Sequence, residues 1–564
     1  MERRVVWAIL LMMVIAIAPA IFLKKPPRSE GKSGLAGSDS ASATIAPQPP
    51  ADSASVRPPV ARPGTGPAAS DDTVLVSSPL YTYGVSTRGG RLVTATLHRY
   101  QTMAPGRSGP VQLLPDGSHL LGLMLVSERD TVDLSRWTLT PSATSLSVQG
   151  RAPLTLSGSE GPYTARLEYS FVPNEYRVDV SGRLEGLGPN GGLLFVGLGS
   201  GLAQTEADSV DNAHNLALVT RRGGTERTNF ADLEPGKPKT LSGPFDWAAI
   251  KSKYFVTAVL SFDSAGPGMS GVTAVAPPGA GEDPASADVR LSVPVGPAGH
   301  FSYSVYAGPM EYERLRRIGH EFDDVNPYGW PGFRTLIRFF AVPTRWLLVW
   351  MHESLGLAYG LVLVVFGILV RVILWPLNQK AMRASMEMQA IQPVMKELQD
   401  RHKDDPQRLQ QEMFKLYKEH NVNPFGGCWP MLLPMPVLFA LFFVLQNSIE
   451  LRGTSFLWLP DLARPDPLYI IPLVMGISMY VLTKVGQLGM EPNPQMKMML
   501  YFMPVVMTVL FIKFPAGLNL YYAVSNIASA PQQWLLARER MKRTASGPPP
   551  APPPSPPKRK KPAE

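Results

Sequence analysis

A single arginine, Arg371, stands inside the apolar segment 355–377 (LGLAYGLVLVVFGILVRVILWPL), which contains no acidic residue. An arginine at the centre of a membrane helix costs about 2.5–3.5 kcal/mol on insertion scales, so such residues usually face a polar cavity or a substrate path. Alternatively, the side chain reaches the membrane surface, since Arg371 is about 9 Å from the end of the segment at about 1.5 Å per residue. Arg371 is therefore the first candidate for a substrate contact.

The last apolar segment, 518–536, carries a polar stripe. Its members are spaced by three or four residues and are Asn519, Tyr522, Asn526, Ser529 and Gln533. This spacing places them on one face of a helix, and polar side chains in a membrane helix face protein or water. Two interpretations stay open: the stripe lines a water-accessible groove together with Arg371, or it bonds neighbouring helices to one another.

Small residues share the face of Arg371 in the first of these segments. On one continuous helix, Gly356, Gly360 and Gly367 fall within about 60° of Arg371. The sequence therefore predicts a wall of glycines that ends in a cation.

Composition argues against cofactor chemistry. The chain has 564 residues and a net charge of +9, but its basic residues lie beside apolar segments rather than among surface aromatic residues, as a nucleic-acid-binding face requires. The single cysteine, Cys428, excludes an intrachain disulfide framework, and the sequence has no CxxC pair, Cys/His cluster or GxxxxGK[ST] loop. We therefore predict no cofactor, no metal and no enzymatic reaction.

The elements that must position Arg371 are apolar segments. Residues 1–25 begin with Arg3 and Arg4 and continue with an apolar run; they fit an uncleaved signal anchor better than a signal peptide. The further predicted spans are 355–377, 429–449, 468–482, 498–512 and 518–536. Two of them, 468–482 and 498–512, are short, so either the bilayer is thinned around them or flanking residues complete them.

The distribution of Lys and Arg predicts the orientation. Eight lie in 378–426 and eight follow residue 537, whereas the loop 450–467 has only Arg452 and Arg464. Because basic residues accumulate in cytoplasmic loops, both termini are predicted to be cytoplasmic.

Between the first and second spans lies a soluble part. The Ser, Ala and Pro content of residues 26–71 predicts a disordered linker. Residues 72–325 alternate apolar and polar residues between Gly, Pro, Asn and Asp turns, which predicts a β sandwich. Five histidines of this part, His98, His119, His214, His300 and His320, have no partner at motif spacing. A sugar-binding or mutarotase-like site would need a His and carboxylate brought together in space, which the sequence leaves open.

Two amphipathic segments flank the first span of the C-terminal part. Residues 330–350 mix arginines and aromatic residues as an interfacial helix does. Residues 378–426 predict a cytoplasmic helical hairpin with a break near Asp405. Its methionines form either the hairpin core or a soft surface for hydrophobic substrate segments, and the candidate contacts are Met382, Met386, Met388 and Met395.

Several motifs in a fixed order resemble the YidC family of bacterial membrane protein insertases. They are FGILVRVILWPLNQKAMRASMEMQAIQP (366–393), NPFGGCWPMLLPMPVLFAL (423–441), QNSIELR (446–452), DPLYIIPLVMG (466–476) and FPAGLNLYYAVSNIASAPQQ (514–533), with weaker matches in DWAAIKSKYFVTAVL (246–260) and YAGPMEYERL (306–315).

The resemblance implies a polytopic α-helical membrane protein with six transmembrane helices and an inserted all-β periplasmic domain, a β-supersandwich. It implies a core at 351–540 that encloses a hydrophilic groove, in which Arg371 is the groove arginine and Tyr521 and Tyr522 form the substrate-contacting region. Gly367 stands where some relatives have a hydroxyl residue.

The partners that the resemblance implies are nascent membrane proteins, the Sec translocon with its accessory subunits, the lipid bilayer and the ribosome. The ribosome, whose RNA would be the only nucleic acid contacted, is expected at the cytoplasmic loops and the basic Pro-rich tail 541–564. The implied location is the bacterial inner membrane.

Two other classes of function fit the sequence less well. An ion-coupled transporter usually has intramembrane Asp, Glu or His and an internal repeat, and the predicted spans have neither. A carbohydrate-binding protein at the outer face would need one anchor, so five further spans would be unexplained.

Overall fold

The computed structural model describes residues 73–128, 130–261, 268–281, 284–329, 333–402, 405–420, 435–489 and 494–545. The chain divides into two compact units, 1–64 and 65–564, and all described residues belong to the second. The predicted anchor 1–25, the linker 26–71, Cys428 and the tail beyond residue 545 lie outside the described residues. The side chains of 381–390 and a few neighbouring positions lie outside them as well.

The described residues between 73 and 309 form three sheets. The first has the order β4-β3-β2-β1-β8 and consists of β1 Thr73–Ser77, β2 Tyr81–Ser86, β3 Leu92–Gln101, β4 Pro110–Gln112 and β8 Ser145–Ser147. The second has the order β14-β13-β16-β17-β20-β11-β10-β9-β7 and consists of β7 Thr140–Pro141, β9 Ala152–Glu160, β10 Tyr163–Phe171, β11 Arg177–Glu185, β13 Ala217–Arg221, β14 Thr225–Asn229, β16 Trp247–Lys251, β17 Phe255–Leu260 and β20 His300–Pro309. The third has the order β15-β18-β19-β12-β5-β6 and consists of β5 Leu123–Ser127, β6 Thr131–Asp133, β12 Gly192–Gly199, β15 Pro238–Phe245, β18 Met269–Val275 and β19 Asp288–Val295.

Strand β10 illustrates why this part of the chain is β structure. Ala165, Leu167 and Tyr169 alternate with exposed residues and are buried in one hydrophobic core that all three sheets share. The β9–β10 hairpin closes at Gly161, whose φ of +60° suits glycine. The prediction of an all-β domain is confirmed to the extent that this part is mostly β sheet. The bounds 72–325 and the β-supersandwich stay predictions.

The C-terminal part is helical. Its helices and the two short helices of the β domain are α1 Ser209–His214, α2 Tyr312–Ile318, α3 Arg334–Leu355, α4 Tyr359–Ala390, α5 Gln392–Arg401, α6 Pro406–Glu419, α7 Met435–Asn447, α8 Ile470–Gly486, α9 Pro494–Phe511 and α10 Ala516–Ala545. A 3-10 turn, Ile449–Leu451, follows α7. The helix break predicted near Asp405 lies where Asp405 caps α6 by accepting from the Arg408 N–H at 3.0 Å.

The prediction that three glycines share one helix face with Arg371 is wrong for Gly356. Segment 355–377 is not one helix, because α3 ends at Leu355, Gly356 adopts a left-handed φ of +65° beyond its last turn, and α4 begins at Tyr359. A glycine in this conformation terminates a helix. Gly356 therefore does not share the face of Arg371, whereas Gly360 and Gly367 lie on α4.

Helix α3 covers the segment predicted to be interfacial. One face is buried through Ile337, Ala341 and Leu348, and Phe339 and Trp346 project from the opposite face with 72% and 60% exposure. This amphipathic pattern suits a helix that lies on a membrane surface, and that location stays a prediction.

Within the described residues, one helical stretch, Tyr359–Lys380, is long and apolar enough to cross a membrane. The shorter apolar stretches are Met435–Asn447, Ile470–Gly486 and Met496–Phe511. They fall in three of the other predicted spans, and α10 covers the last one. The count of six spans stays a prediction.

Candidate functional site

Helices α4 and α10 pack closely at Gly367. A Cβ at this position would lie 3.2 Å from Val524 Cγ1 and 3.6 Å from Tyr521 Cδ2, so a glycine allows the two backbones to approach. The ring of Phe366 lies 5.8 Å from that of Tyr521. Gly367 is therefore a buried helix contact, which explains the small residue at this position without a substrate role.

Arg371 lies one turn beyond this contact. Its side chain is half-buried, and its Nε atom is buried without a hydrogen-bond partner among the residues that the structure describes. Arg371 follows Gly367 by four residues on α4, and Gly367 packs against Tyr521 and Val524 of α10. The structure thus places Arg371 one helical turn from the α4 contact with Tyr521.

Polar contacts continue along the same side of α10. The buried Gln532 donates from Nε2 to the Trp375 carbonyl at 3.0 Å, and Asn378 Nδ2 donates to Gln532 Oε1 at 3.4 Å. Sequence reasoning missed Gln532 because the spacing of the polar stripe selects its neighbour, Gln533. The pair of glutamines in the motif FPAGLNLYYAVSNIASAPQQ was the available signal.

Most of the polar stripe of α10 faces other helices. Asn519 Nδ2 donates to the Phe511 carbonyl of α9 at 3.0 Å, and Asn526 Nδ2 donates to Ser478 Oγ of α8 at 3.1 Å. The Ser529 hydroxyl donates to the Ser525 carbonyl within α10 at 2.7 Å. The two asparagine bonds are the contacts expected of the second interpretation, in which the stripe bonds helices together.

Tyr522 and Gln533 complete the stripe. The ring of Tyr522 lies 5.6 Å from that of Phe511, so this tyrosine belongs to the contact with α9. Gln533 lies beside Gly486 of α8, where a Cβ would be 3.2 Å from its Oε1. Accordingly, Asn519, Asn526 and Gln533 lie on the α8 and α9 side, and Tyr521 lies on the α4 side with Arg371.

The methionines of the hairpin are only partly described. Met395 packs against Ile391 and Leu416, and its Sδ lies 4.0 Å from the Tyr417 hydroxyl. Met395 is thus part of the small core between α5 and α6. Met382, Met386 and Met388 lie on α4, but their side chains are outside those described.

Ion pairs just after the C-terminal end of α7 were not predicted from the sequence. Arg345 of α3, which is buried, pairs with Glu450 and lies 3.5 Å from Glu313. Arg452 pairs with Glu206 of the β domain. Both arginines therefore connect elements that are far apart in the sequence.

Within the described residues, a mostly β domain is followed by apolar helices, one of which is long and apolar enough to cross a membrane, and this arrangement is typical of a helical membrane protein. Two family models match consecutive parts of the chain: the YidC periplasmic domain over residues 73–347 and the 60Kd inner membrane protein over residues 350–544. A membrane protein insertase YidC from Chlorobaculum tepidum is 31% identical, with 82% of this chain and 81% of the relative covered. The insertase YidC of Syntrophus aciditrophicus is 29% identical over 96% of this chain and 100% of the relative.

The chain belongs to the YidC family of membrane protein insertases, which insert proteins into the inner membrane. Among solved structures, an active YidC insertase with its first transmembrane domain resolved matches with 16% identity and a TM-score of 0.33, covering 83% of this chain and 93% of that one. A galactose mutarotase related enzyme from Lactobacillus acidophilus covers 42% of this chain with a TM-score of 0.29. The assignment rests on the sequence matches, because these TM-scores are too low to carry an argument.

Proposed function

We propose that this insertase receives polar parts of a nascent segment in a groove between α4 and α10, at Arg371. The observation that carries the proposal is the buried Arg371 Nε, which lacks a hydrogen-bond partner among the described residues. A desolvated charged donor without a partner is unfavourable, and a carboxylate or carbonyl of the substrate would supply the missing bond. Arg371 therefore lowers the free energy of a polar substrate group inside the membrane.

Tyr521 and Tyr522 are the proposed neighbours of the bound segment. Their rings pack on Phe366 and Phe511, respectively, and Tyr521 lies beside Gly367, one turn before Arg371 on α4. Gln532, bonded to the Trp375 carbonyl, holds α10 against α4 at the next turns. Asn519 and Asn526 act indirectly, since their bonds to α9 and α8 fix α10 in place.

The energy for insertion comes from the substrate. No phosphate-binding GxxxxGK[ST] loop occurs in the sequence, so the proposed cycle uses no nucleotide. Moving an apolar helix of about twenty residues into lipid is strongly favourable, and the membrane potential assists an acidic outer tail. Helices α8 and α9, at about 26–27 Å, are shorter than a hydrocarbon layer of about 30 Å, and local thinning around them would lower the barrier further.

The proposed topology has six spans with both termini in the cytoplasm and the β domain in the periplasm. The basic residues of 378–426 and of the region after residue 537 support it. On this topology the hairpin and the tail 541–564 face the ribosome. Cooperation with the Sec translocon remains part of the proposal.

A reconstitution experiment tests the groove. Vesicles depleted of their own insertase would receive wild-type chain, Arg371→Ala or Arg371→Lys, and a single-span test protein with an acidic or a neutral outer tail. We expect Arg371→Ala to lose at least about tenfold in insertion of the acidic-tailed protein, equivalent to about 1.4 kcal/mol, and much less of the neutral one. Arg371→Lys retains the charge and should restore part of the activity. Equal losses for both tails would assign Arg371 a structural role and overturn the proposal.

A further inference from the structure

The loop 453–469, between the 3-10 turn and α8, exposes four large apolar side chains while it buries both of its acids. Leu457, Trp458, Leu468 and Tyr469 are 73%, 38%, 58% and 52% exposed. The only acidic residues of the loop, Asp461 and Asp466, are 4% and 1% exposed. A loop in contact with water has the opposite distribution.

The buried carboxylates organise the loop. Asp466 Oδ1 accepts from the Leu468 N–H at 2.9 Å and from the Trp458 indole N–H at 3.2 Å, and Oδ2 accepts from the Ile471 N–H at 2.8 Å. Asp461 Oδ1 accepts from the Ala463 N–H at 2.8 Å. Since these bonds fix the backbone around both acids, the exposed side chains sit on a defined scaffold.

The tip of the loop carries a large side chain where a small residue is usual. Phe456 and Leu459 exchange backbone hydrogen bonds of 3.0 and 2.9 Å, which leaves Leu457 and Trp458 as the two residues of a tight turn. Leu457 has a φ of +54°, a left-handed conformation that favours glycine or asparagine in such turns. Tyr469 has a φ of +57°. Strained residues of this kind mark sites where a side chain has a function.

The exposed residues continue the apolar surface of α8. The exposed side chains of this helix include Ile470, Leu473, Val474, Ile477 and Val481. Helix α8 measures about 26 Å, which is less than a hydrocarbon layer of about 30 Å. Leu468 and Tyr469 directly precede it, so they add apolar surface at its start.

We propose that Leu457, Trp458, Leu468 and Tyr469 form a membrane-surface anchor, which inserts into the lipid headgroup region at the start of α8. A lipid surface fits these residues better than a protein partner does. Arg464, which is half-buried, is the sole cation of the loop, so the loop has little charge with which to select a protein. Trp and Tyr beside the end of a membrane helix are typical of the headgroup region. The same loop also contacts the start of α10, since the Ala516 N–H donates to the Arg464 carbonyl at 2.7 Å.

Fluorescence quenching in lipid vesicles tests the anchor. The full chain would carry Cys428→Ser, which removes its single cysteine, and then Leu457→Cys or Leu468→Cys with an environment-sensitive label. Ser159→Cys, exposed on β9, is the matched control. Vesicles of neutral and anionic phospholipid would contain lipids with a headgroup-level nitroxide, and iodide would be the aqueous quencher.

We expect about threefold more nitroxide quenching and about threefold less iodide quenching at positions 457 and 468 than at 159, as for side chains in the headgroup region. Iodide access equal to that at Ser159 would overturn the proposal. Protection from both quenchers would do so as well, because it would mean that protein covers the loop. As a second measurement, Leu457→Gly relieves the backbone and should keep or raise the melting temperature, while a label at position 468 becomes more accessible to iodide.

Discussion

Arg452 Nε lies 2.9 Å from both carboxylate oxygens of Glu206, and this buried pair joins the turn after α7 to the β domain. The same guanidinium donates to the Gln101 and Thr205 carbonyls at 2.9 and 3.1 Å. It also lies 5.3 Å from the Phe255 ring centroid. Only 5% of the Arg452 side chain and 8% of the Glu206 side chain are exposed, so water screens the pair little.

Substitution of Arg452 should loosen the β domain from the helices. Arg452→Ala leaves the Glu206 carboxylate buried without its cation, and the expected loss is about 3–5 kcal/mol in the free energy of unfolding. Thermal unfolding of the purified chain and limited proteolysis would measure it. The control is Arg107→Ala, which breaks a pair with Asp116 whose side chains are 56% and 86% exposed. That control should change stability by at most about 1 kcal/mol, and an equal effect of both variants would contradict the prediction.

A larger residue at Gly367 should separate α4 from α10. Gly367→Leu places side-chain atoms where Val524 and Tyr521 lie, so we expect about 1–3 kcal/mol of destabilisation together with loss of insertion. Gly367→Ala should have a smaller effect, because it adds only a Cβ atom, which would lie 3.2 Å from Val524 Cγ1. Val524→Ala combined with Gly367→Leu should recover part of the loss. Melting temperatures of wild type, Gly367→Leu, Val524→Ala and the double variant measure this coupling, and independent, additive effects would show that the two positions do not touch.

Substitutions in the polar stripe of α10 should affect insertion differently from substitutions of Arg371. Asn526→Leu removes the bond to Ser478, and interhelical bonds of this kind contribute about 0.6–1.7 kcal/mol. We expect a lower melting temperature and equal reductions in insertion of acidic-tailed and neutral-tailed substrates. A selective loss for the acidic tail would instead place Asn526 in contact with substrate.

Burial of Lys251 should make stability depend on pH. Its Nζ donates to Asn326 Oδ1 at 2.8 Å, and burial lowers the pKa of this lysine well below its ordinary value. The unfolded chain therefore binds more protons between the folded pKa and about 10.5, and stability rises with pH across that window.

Lys251→Met should remove this pH dependence. Between about pH 7 and about pH 10, the melting temperature of wild type should therefore rise relative to that of Lys251→Met. Lys239→Met, at an exposed position, is the control and should keep a constant difference. A constant difference for Lys251→Met as well would show that the buried amine does not titrate differently in the folded state.

Local patterns explain which features the sequence could predict. Alternation in segments such as Tyr163–Phe171 and long apolar runs such as Tyr359–Lys380 are visible in a single sequence. Arg371 was recognisable because a charge in an apolar run stands out, and Tyr521 and Tyr522 followed from the family resemblance.

Contacts between distant residues could not be predicted. Arg452 and Glu206 are 246 positions apart, and neither has a pattern that points to the other. The assignment of Asn519 and Asn526 to α9 and α8 also depends on how the helices pack. A helical stripe shows that residues share a face, but not which neighbour that face meets.

Disulfide crosslinking of a stalled substrate tests the groove most directly. In a Cys428→Ser background, Tyr522→Cys would be compared with Asn519→Cys, which is fully buried against α9, using a nascent segment with one cysteine beside its acidic residue. We predict crosslinks at position 522 that fall strongly when Arg371 is also replaced by Ala, and few at position 519. Crosslinks at position 519 equal to those at 522, or no dependence on Arg371, would contradict the proposal that Arg371 holds the polar part of the substrate.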